Sequence, residues 1–121
     1  MEPRLTQSAA WATARPELSV LIPFYRDDPR PLLAALEIQA QGRPVELVLL
    51  DDGGVVPVLS DAVERVVAGM TAAIRLISLP ANEGRAKGRN RLAEHARAPA
   101  LLFLDADMAE AASTEPTERS M

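Results

Sequence analysis

A chain of 121 residues and 13.0 kDa has room for one domain with a real core and little more. Its net charge of −4 argues against a nucleic-acid partner for the whole chain, and the lack of cysteine excludes disulfides and thiolate metal sites. A single histidine, His95, rules out a multi-histidine metal centre. No apolar run approaches the ~18 residues of a membrane span. Met1 to Arg15 lacks the apolar core of a secretory leader. The expected location is therefore the cytosol, free or held at the inner face of the membrane through a partner.

Residues 1–17, polar and alanine-rich with Pro3 and Pro16, read as a flexible arm carrying one large aromatic residue, Trp11. Leu18 to Ile22 is the first predicted strand, stopped by Pro23. After the loop Phe24 to Asp27, Asp28 is placed to cap a helix with Pro29 in its first turn. Leu32, Leu33, Leu36 and Ala40 carry that helix to about Gln41, and Gly42 ends it. Val45 to Leu50 is the second strand and runs into Asp51-Asp52-Gly53-Gly54. A helix over about Val58 to Ala68 follows, with Val58, Leu59, Ala62, Val63, Val66 and Val67 as its apolar stripe and Gly69 as its stop. Ile74 to Leu79 is the third strand, ended by Pro80. The cationic stretch Arg85, Lys87, Arg89 opens a helix to about Arg97, and Pro99 ends it. Leu101 to Leu104 is the fourth strand, a continuous apolar run of the kind buried on both faces of a parallel sheet. The remainder, residues 109–121, reads as a disordered tail.

Strictly alternating strands and helices predict βαβ units and an open, mainly parallel sheet of the α/β class, over residues 18–108. The expected strand order is third, second, first, fourth. In such sheets ligands bind beyond the carboxyl ends of the strands. Here those ends supply Pro23 to Arg26, Asp51 to Gly53, Asn82 to Arg89, and Asp105-Ala106-Asp107. Two carboxylates one residue apart repel unless a cation lies between them, and oxygen ligands suit Mg²⁺ or Mn²⁺. The plainer alternative is a solvated strand end, with Asp107 capping the segment after it. Likewise Asp51-Asp52-Gly53 reads as an acidic turn when taken alone, and Arg85 as part of a solvated helix face. All four clusters on one edge suit a phosphorylated, anionic ligand with a divalent ion.

The pieces Leu18-Ser19-Val20-Leu21-Ile22-Pro23-Phe24-Tyr25, Leu49-Leu50-Asp51-Asp52-Gly53, Asn82-Glu83-Gly84 with Gly88-Arg89-Asn90, and Leu104-Asp105-Ala106-Asp107 fall in a familiar order and spacing. Together they resemble the nucleotide-binding half of a family 2 glycosyltransferase of GT-A fold, over about residues 18–108. That resemblance implies Rossmann-like βαβ units and an inverting, metal-dependent enzyme. Such an enzyme moves a sugar from a nucleotide diphosphate-sugar donor to the hydroxyl of a saccharide or lipid-linked acceptor. It implies that Pro23 and Tyr25 border the base, and that Asp52, with Asp51 beside it, accepts a hydrogen bond from the base. Arg89, and more loosely Arg85 and Lys87, would face the diphosphate. Asp105 and Asp107 would form the metal-binding DxD pair, Asp107 making the direct contact, with Mn²⁺ or Mg²⁺ as cofactor.

The chain also departs from the family pattern. Arg26 stands where the family often has Asn, Gly54 replaces a serine or threonine, and the acidic residue soon after is missing. Only thirteen residues follow Met108, and none resembles the acceptor half with its catalytic base. The expectation is a fragment that is inactive alone and is either marginally stable or self-associates through its apolar fourth strand, which would sit at the sheet edge. The alternative is a nucleotide-binding module without catalysis. A receiver-like signalling domain fits less well, because the third strand ends in Leu79-Pro80 and no strand ends in Lys. A dinucleotide site fits least, since the first turn lacks the glycine fingerprint.

Overall fold

The computed structural model describes residues 2–53 and 57–106. Gly54, Asp107 and the tail 109–121 lie outside the described residues. In chain order the elements are β1 (Arg4–Gln7), a 3₁₀ turn (Ala9–Ala12), β2 (Leu18–Phe24), α1 (Arg30–Gln39) and β3 (Val45–Asp51). They continue with α2 (Pro57–Gly69), β4 (Ala73–Ser78), α3 (Arg85–His95) and β5 (Ala100–Phe103).

The strands form one sheet in the order β1-β4-β3-β2-β5. β2, β3, β4 and β5 are parallel, as the alternation of strand and helix requires. Period-2 alternation divides their side chains between two cores. Val20, Ile22, Leu47, Leu49, Ile74 and Leu76 pack with Leu32, Leu33 and Leu36 of α1 and Val63 and Val67 of α2. Leu21, Val48, Leu50 and Ile77 pack on the other face with Leu92 of α3 and Trp11. The central strands are therefore covered on both faces.

Several details differ from the sequence reading. The segment 1–17 is not a loose arm: β1 pairs antiparallel with β4, Arg4 opposite Ser78 and Gln7 opposite Arg75, and Trp11 is buried. Ser8 fastens it further, its hydroxyl donating to Ala72 O at 2.7 Å and accepting from Ile74 N at 3.1 Å. β5 is not buried on both faces: it takes the edge position that the expected strand order gives it and leaves Leu101 45% exposed. Val58 stands 81% exposed, so the stripe of α2 narrows to Val63 and Val67 with Leu59 beside them. Pro23 does not stop β2, which continues to Phe24. Leu21 O accepts from Leu104 on the β5 side, whereas Phe24 O accepts from Asp52 on the β3 side. By alternation Pro23 turns its nitrogen toward the β5 side, just past the point where that ladder ends, so no ladder donor is lost.

Asp28 acts one position earlier than expected. Pro29 is the N-cap of α1, and Asp28 accepts from the Arg30 backbone N–H at 3.0 Å while pairing with its guanidinium. The hydrogen bond from the Arg30 side chain holds the Asp28 carboxyl below its ordinary range.

At the amino ends of the strands lies a closed polar network. Glu46 of β3 is fully buried and takes the Arg97 guanidinium at 2.8 Å, the Arg97 backbone N–H at 2.7 Å and the Ser19 hydroxyl at 2.7 Å. Arg97 also donates to Trp11 O at 3.0 Å and lies 3.8 Å from the centre of the Trp11 ring. Arg75 sits over the same ring and contacts His95.

Candidate functional site

Where β2 and β3 end, the chain must leave the sheet. The side chains it carries there close around a cleft of about 540 Å³. Its lining includes Pro23, Tyr25, Asp52, Arg85, Arg89 and Asp105. The parallel register places these strand ends on one edge of the sheet, as expected for a ligand crevice.

Strand parity separates the two adjacent acids. Asp51 is the last residue of β3 and shares the parity of Leu47 and Leu49, so it turns toward the α2 layer and accepts from the Ser60 hydroxyl at 3.3 Å. It does not line the cleft, and the sequence reading that paired it with Asp52 at the nucleotide is not reproduced by this geometry. Asp52 does line the cleft, although it is only 7% exposed. Its carboxylate accepts from Glu83 N at 2.8 Å, Asn82 Nδ2 at 3.1 Å and Gly84 N at 3.2 Å. Asn82 Nδ2 also reaches Asp52 O at 3.0 Å.

Gly53 explains how the two loops come so close. It holds φ +70°, and a Cβ there would strike the backbone of Ala81 and Asn82. Glycine supplies both the left-handed backbone and the missing volume. Glu83 is drawn the other way, toward Arg91 of α3, by two hydrogen bonds of 2.7 and 3.0 Å. The Arg91 guanidinium lowers the Glu83 carboxyl from its usual range.

The loop delivers the start of α3 to the cleft. Gly84, at φ +95°, is its N-cap and makes no side-chain capping bond, and the first turn contains no acid. Instead that end carries Arg85, Lys87 and Arg89, cations where the helix dipole favours anions. Arg85 and Arg89 line the cleft, whereas Lys87 is exposed outside that lining. Gly88 packs tightly on the Leu50 side chain, which brings α3 down against β3. Arg89 lies 3.8 Å from the centre of the Phe103 ring of β5, a cation–π contact that fixes its guanidinium beside the strand leading to Asp105.

On the opposite wall, Tyr25 is exposed, with the Arg26 guanidinium 4.9 Å above its ring. Arg26 is the one non-glycine residue with positive φ among those described, at 70°. That backbone suits asparagine better than arginine. Asp105 presents an exposed carboxylate to the cleft. Asp107, its expected metal-binding companion, lies outside the described residues. Among the described residues no group of three His, Cys, Asp or Glu side chains is placed to hold a metal by itself. Asp27 also lines the cleft and falls outside the residues singled out from the sequence; its place in the loop after the first apolar strand is the available signal.

The described residues contain no helix long and apolar enough to cross a membrane. No curated protein matches the chain. Among solved structures, a mannosyltransferase from Pyrobaculum calidifontis, solved in complex with GDP-Man and Mn²⁺, superposes with a TM-score of 0.56 at 22% identity. The match covers 87% of this chain and 34% of that one, so the chain spans about a third of that protein's length. At this identity the likeness establishes a shared GT-A fold. The family model for glycosyl transferase family 2 matches residues 19–112, from β2 through every strand end that lines the cleft. The chain belongs to glycosyl transferase family 2.

Proposed function

We propose that the cleft binds the nucleotide diphosphate of a sugar donor and that the chain is the donor-binding part of an inverting, metal-dependent glycosyltransferase. The observation that carries this reading is the convergence of Asp52, Arg85, Arg89, Asp105 and the cation-bearing start of α3 on one cleft. Arg89 and Arg85 face the diphosphate, with the first-turn amides of α3, which have no partner within the helix, beside them. Tyr25 and Pro23 border the base. The structural neighbour was solved with a guanosine diphosphate sugar, which makes GDP and GDP-mannose the first ligands to try.

A hard divalent cation that takes most of its oxygens from phosphates and water needs only one or two protein carboxylates. Asp105 meets that requirement from the cleft wall, and Asp107 is assigned as its companion. When bound, Mn²⁺ or Mg²⁺ would supply Lewis-acid stabilisation of the departing diphosphate. The residues' own part is to hold the diphosphate with Arg85 and Arg89 and to keep the donor sugar at the mouth of the cleft. The base that deprotonates the acceptor hydroxyl is assigned to no described residue, and the acceptor is a saccharide or lipid-linked alcohol. Work on a nucleotide-activated donor suits the cytosol or the inner membrane face.

Isothermal calorimetry with GDP and UDP tests the site, each with and without Mn²⁺. The expected result is binding that the metal strengthens, with Asp105→Ala abolishing the metal effect. No heat with any nucleoside diphosphate at millimolar concentration would sink the proposal.

A further inference from the structure

Arg89 and Arg97 both lie with the guanidinium 3.8 Å from the centre of an aromatic ring, Phe103 and Trp11 respectively. What their edges do is different. Arg97 closes its N–H groups on Glu46 and on Trp11 O. Arg4, Arg30 and Arg91 are likewise closed on carboxylates. Arg89 makes no hydrogen bond or ion pair among the described residues, and it lines the cleft. At 3.8 Å there is no room for a nitrogen between the guanidinium carbon and the ring, so the group meets Phe103 by its face. A guanidinium carries its N–H donors in its own plane. Stacking therefore fixes the plane of this arginine without using a donor.

The fold sets the pairing. Leu92 of α3 is fully buried against the sheet, and Arg89 stands one turn before it on the same helix face. Phe103 packs on that side of the sheet, level with Leu21 at the end of β5. Asp105, whose carboxylate faces the cleft, follows two residues later. One strand end thus supplies both the support for the cation and the acid assigned to the metal.

Resting on the nucleotide diphosphate site proposed above, we infer that Phe103 is a positioning residue for the diphosphate. Its ring holds Arg89 by the face and leaves the in-plane N–H edge to the phosphate oxygens. No base contact enters this role, so the effect extends to pyrophosphate as much as to a nucleotide.

The test measures the affinity of GDP, UDP and inorganic pyrophosphate, each with Mg²⁺, for the full chain and for Phe103→Leu, which keeps apolar bulk and removes the ring. Thermal melts confirm folding. The expected result is a loss of about two- to fivefold, the worth of a cation–π contact at an exposed site. The loss should be similar for every ligand the parent binds, pyrophosphate included. Phe103→Tyr, which keeps the ring face, should bind as the parent does. In an Arg89→Ala background, Phe103→Leu should remove no further affinity. Parent-like binding in Phe103→Leu, a loss that spares pyrophosphate, an equal loss in Phe103→Tyr, or the same loss with Arg89 already absent would overturn the inference. If Phe103→Leu does not fold, pentafluorophenylalanine in place of Phe103 serves instead. It keeps the outline of the ring and reverses its quadrupole, so affinity should fall in the same way. Parent-like binding in that chain would also overturn the inference. A parent chain that binds none of the three ligands refutes the diphosphate site itself. Non-additive shifts of melting temperature for Phe103→Leu and Arg89→Ala would then still show the ring holding the cation, so the two failures are distinguishable.

Discussion

β3 carries a buried carboxylate at its start and delivers another just past its end. Glu46, six residues before Asp52, is met by a guanidinium, a hydroxyl and one backbone amide, all supplied by other parts of the fold. Asp52 is met by neutral N–H groups of a single loop, and it faces a cleft. Glu46 is neutralised by Arg97, and the pair is stacked on Trp11, so that end of the sheet is electrically closed. At the other end the positive charges, Arg85 and Arg89, stand across open space. The difference teaches that one strand can anchor the fold at one end and hold a binding surface at the other.

The comparison breaks most readily at the closed end. Arg97→Ala leaves Glu46 buried without its cation and is expected to cost about 3 kcal/mol, the low end for a broken buried pair because Arg97 is partly exposed. Urea denaturation measures it, and Mg²⁺-nucleotide affinity of the folded fraction should not change. A loss below about 1 kcal/mol, the range of a surface pair, would mean that water reaches Glu46 and that the two ends are alike.

Gly53→Ala should cost more than the ~1–2 kcal/mol of a left-handed alanine, because the Asn82 loop must also move. It is expected to lower stability and nucleotide binding together. Unchanged affinity in this variant would show that the cleft does not depend on the close approach of the two loops.

Arg89→Ala sharpens the contrast from the open end. Nucleotide diphosphate binding should fall by about 1.5–3 kcal/mol, as for a hydrogen bond to a charged group. Stability should move by less than about 1 kcal/mol, since among the described residues it is the contact with Phe103 that is lost. A stability loss without a binding loss would make Arg89 part of the scaffold.

The smallest effect is that of pH on the closed end. Burial, and then the nearby Arg75 charge, lower the His95 pKa from 6.5, while Glu94 opposes them. Between that lowered value and 6.5 the unfolded chain binds more protons than the folded one. Stability should therefore be flat above about neutrality and decline as pH falls through that window. Thermal melts at stepped pH should show the decline, and His95→Gln should flatten it. Glu37, whose carboxyl is lowered by the Thr71 and Ala72 amides against the cost of its own burial, adds a separate loss only below its ordinary 4.5.

Much of this was legible in the sequence because the signals are local. Four apolar runs separated by helical stripes gave β2 to β5 and their order, and the strand ends gave Pro23, Tyr25, Asp52, Arg89 and Asp105 as neighbours. β1 was not legible. Four residues with one large apolar side chain carry no periodic signal, and their partner strand lies some 70 positions away. The burial of Trp11 is hidden for the same reason, since the arginines that flank its ring come from β4 and from beyond α3. Asp51 and Asp52 look equivalent as letters, and only the pleat sends them to opposite sides.

The pairing of β1 has a practical consequence. Because Arg4 lies level with Ser78, and through the ladder with Asp51 and Phe24, β1 starts at the rim where the cleft opens. β5 runs toward that rim from the far edge of the same five-stranded sheet, about 19 Å away at four strand spacings. The sequence contains no cysteine, so thiols introduced at Glu2 and Leu101 would be unique handles for a pair of dyes. Because Leu101 is level with Ser19, toward the amino ends of the strands, such a pair would span the sheet diagonally from the rim of the cleft to its closed end and report any change in sheet twist when a nucleotide enters.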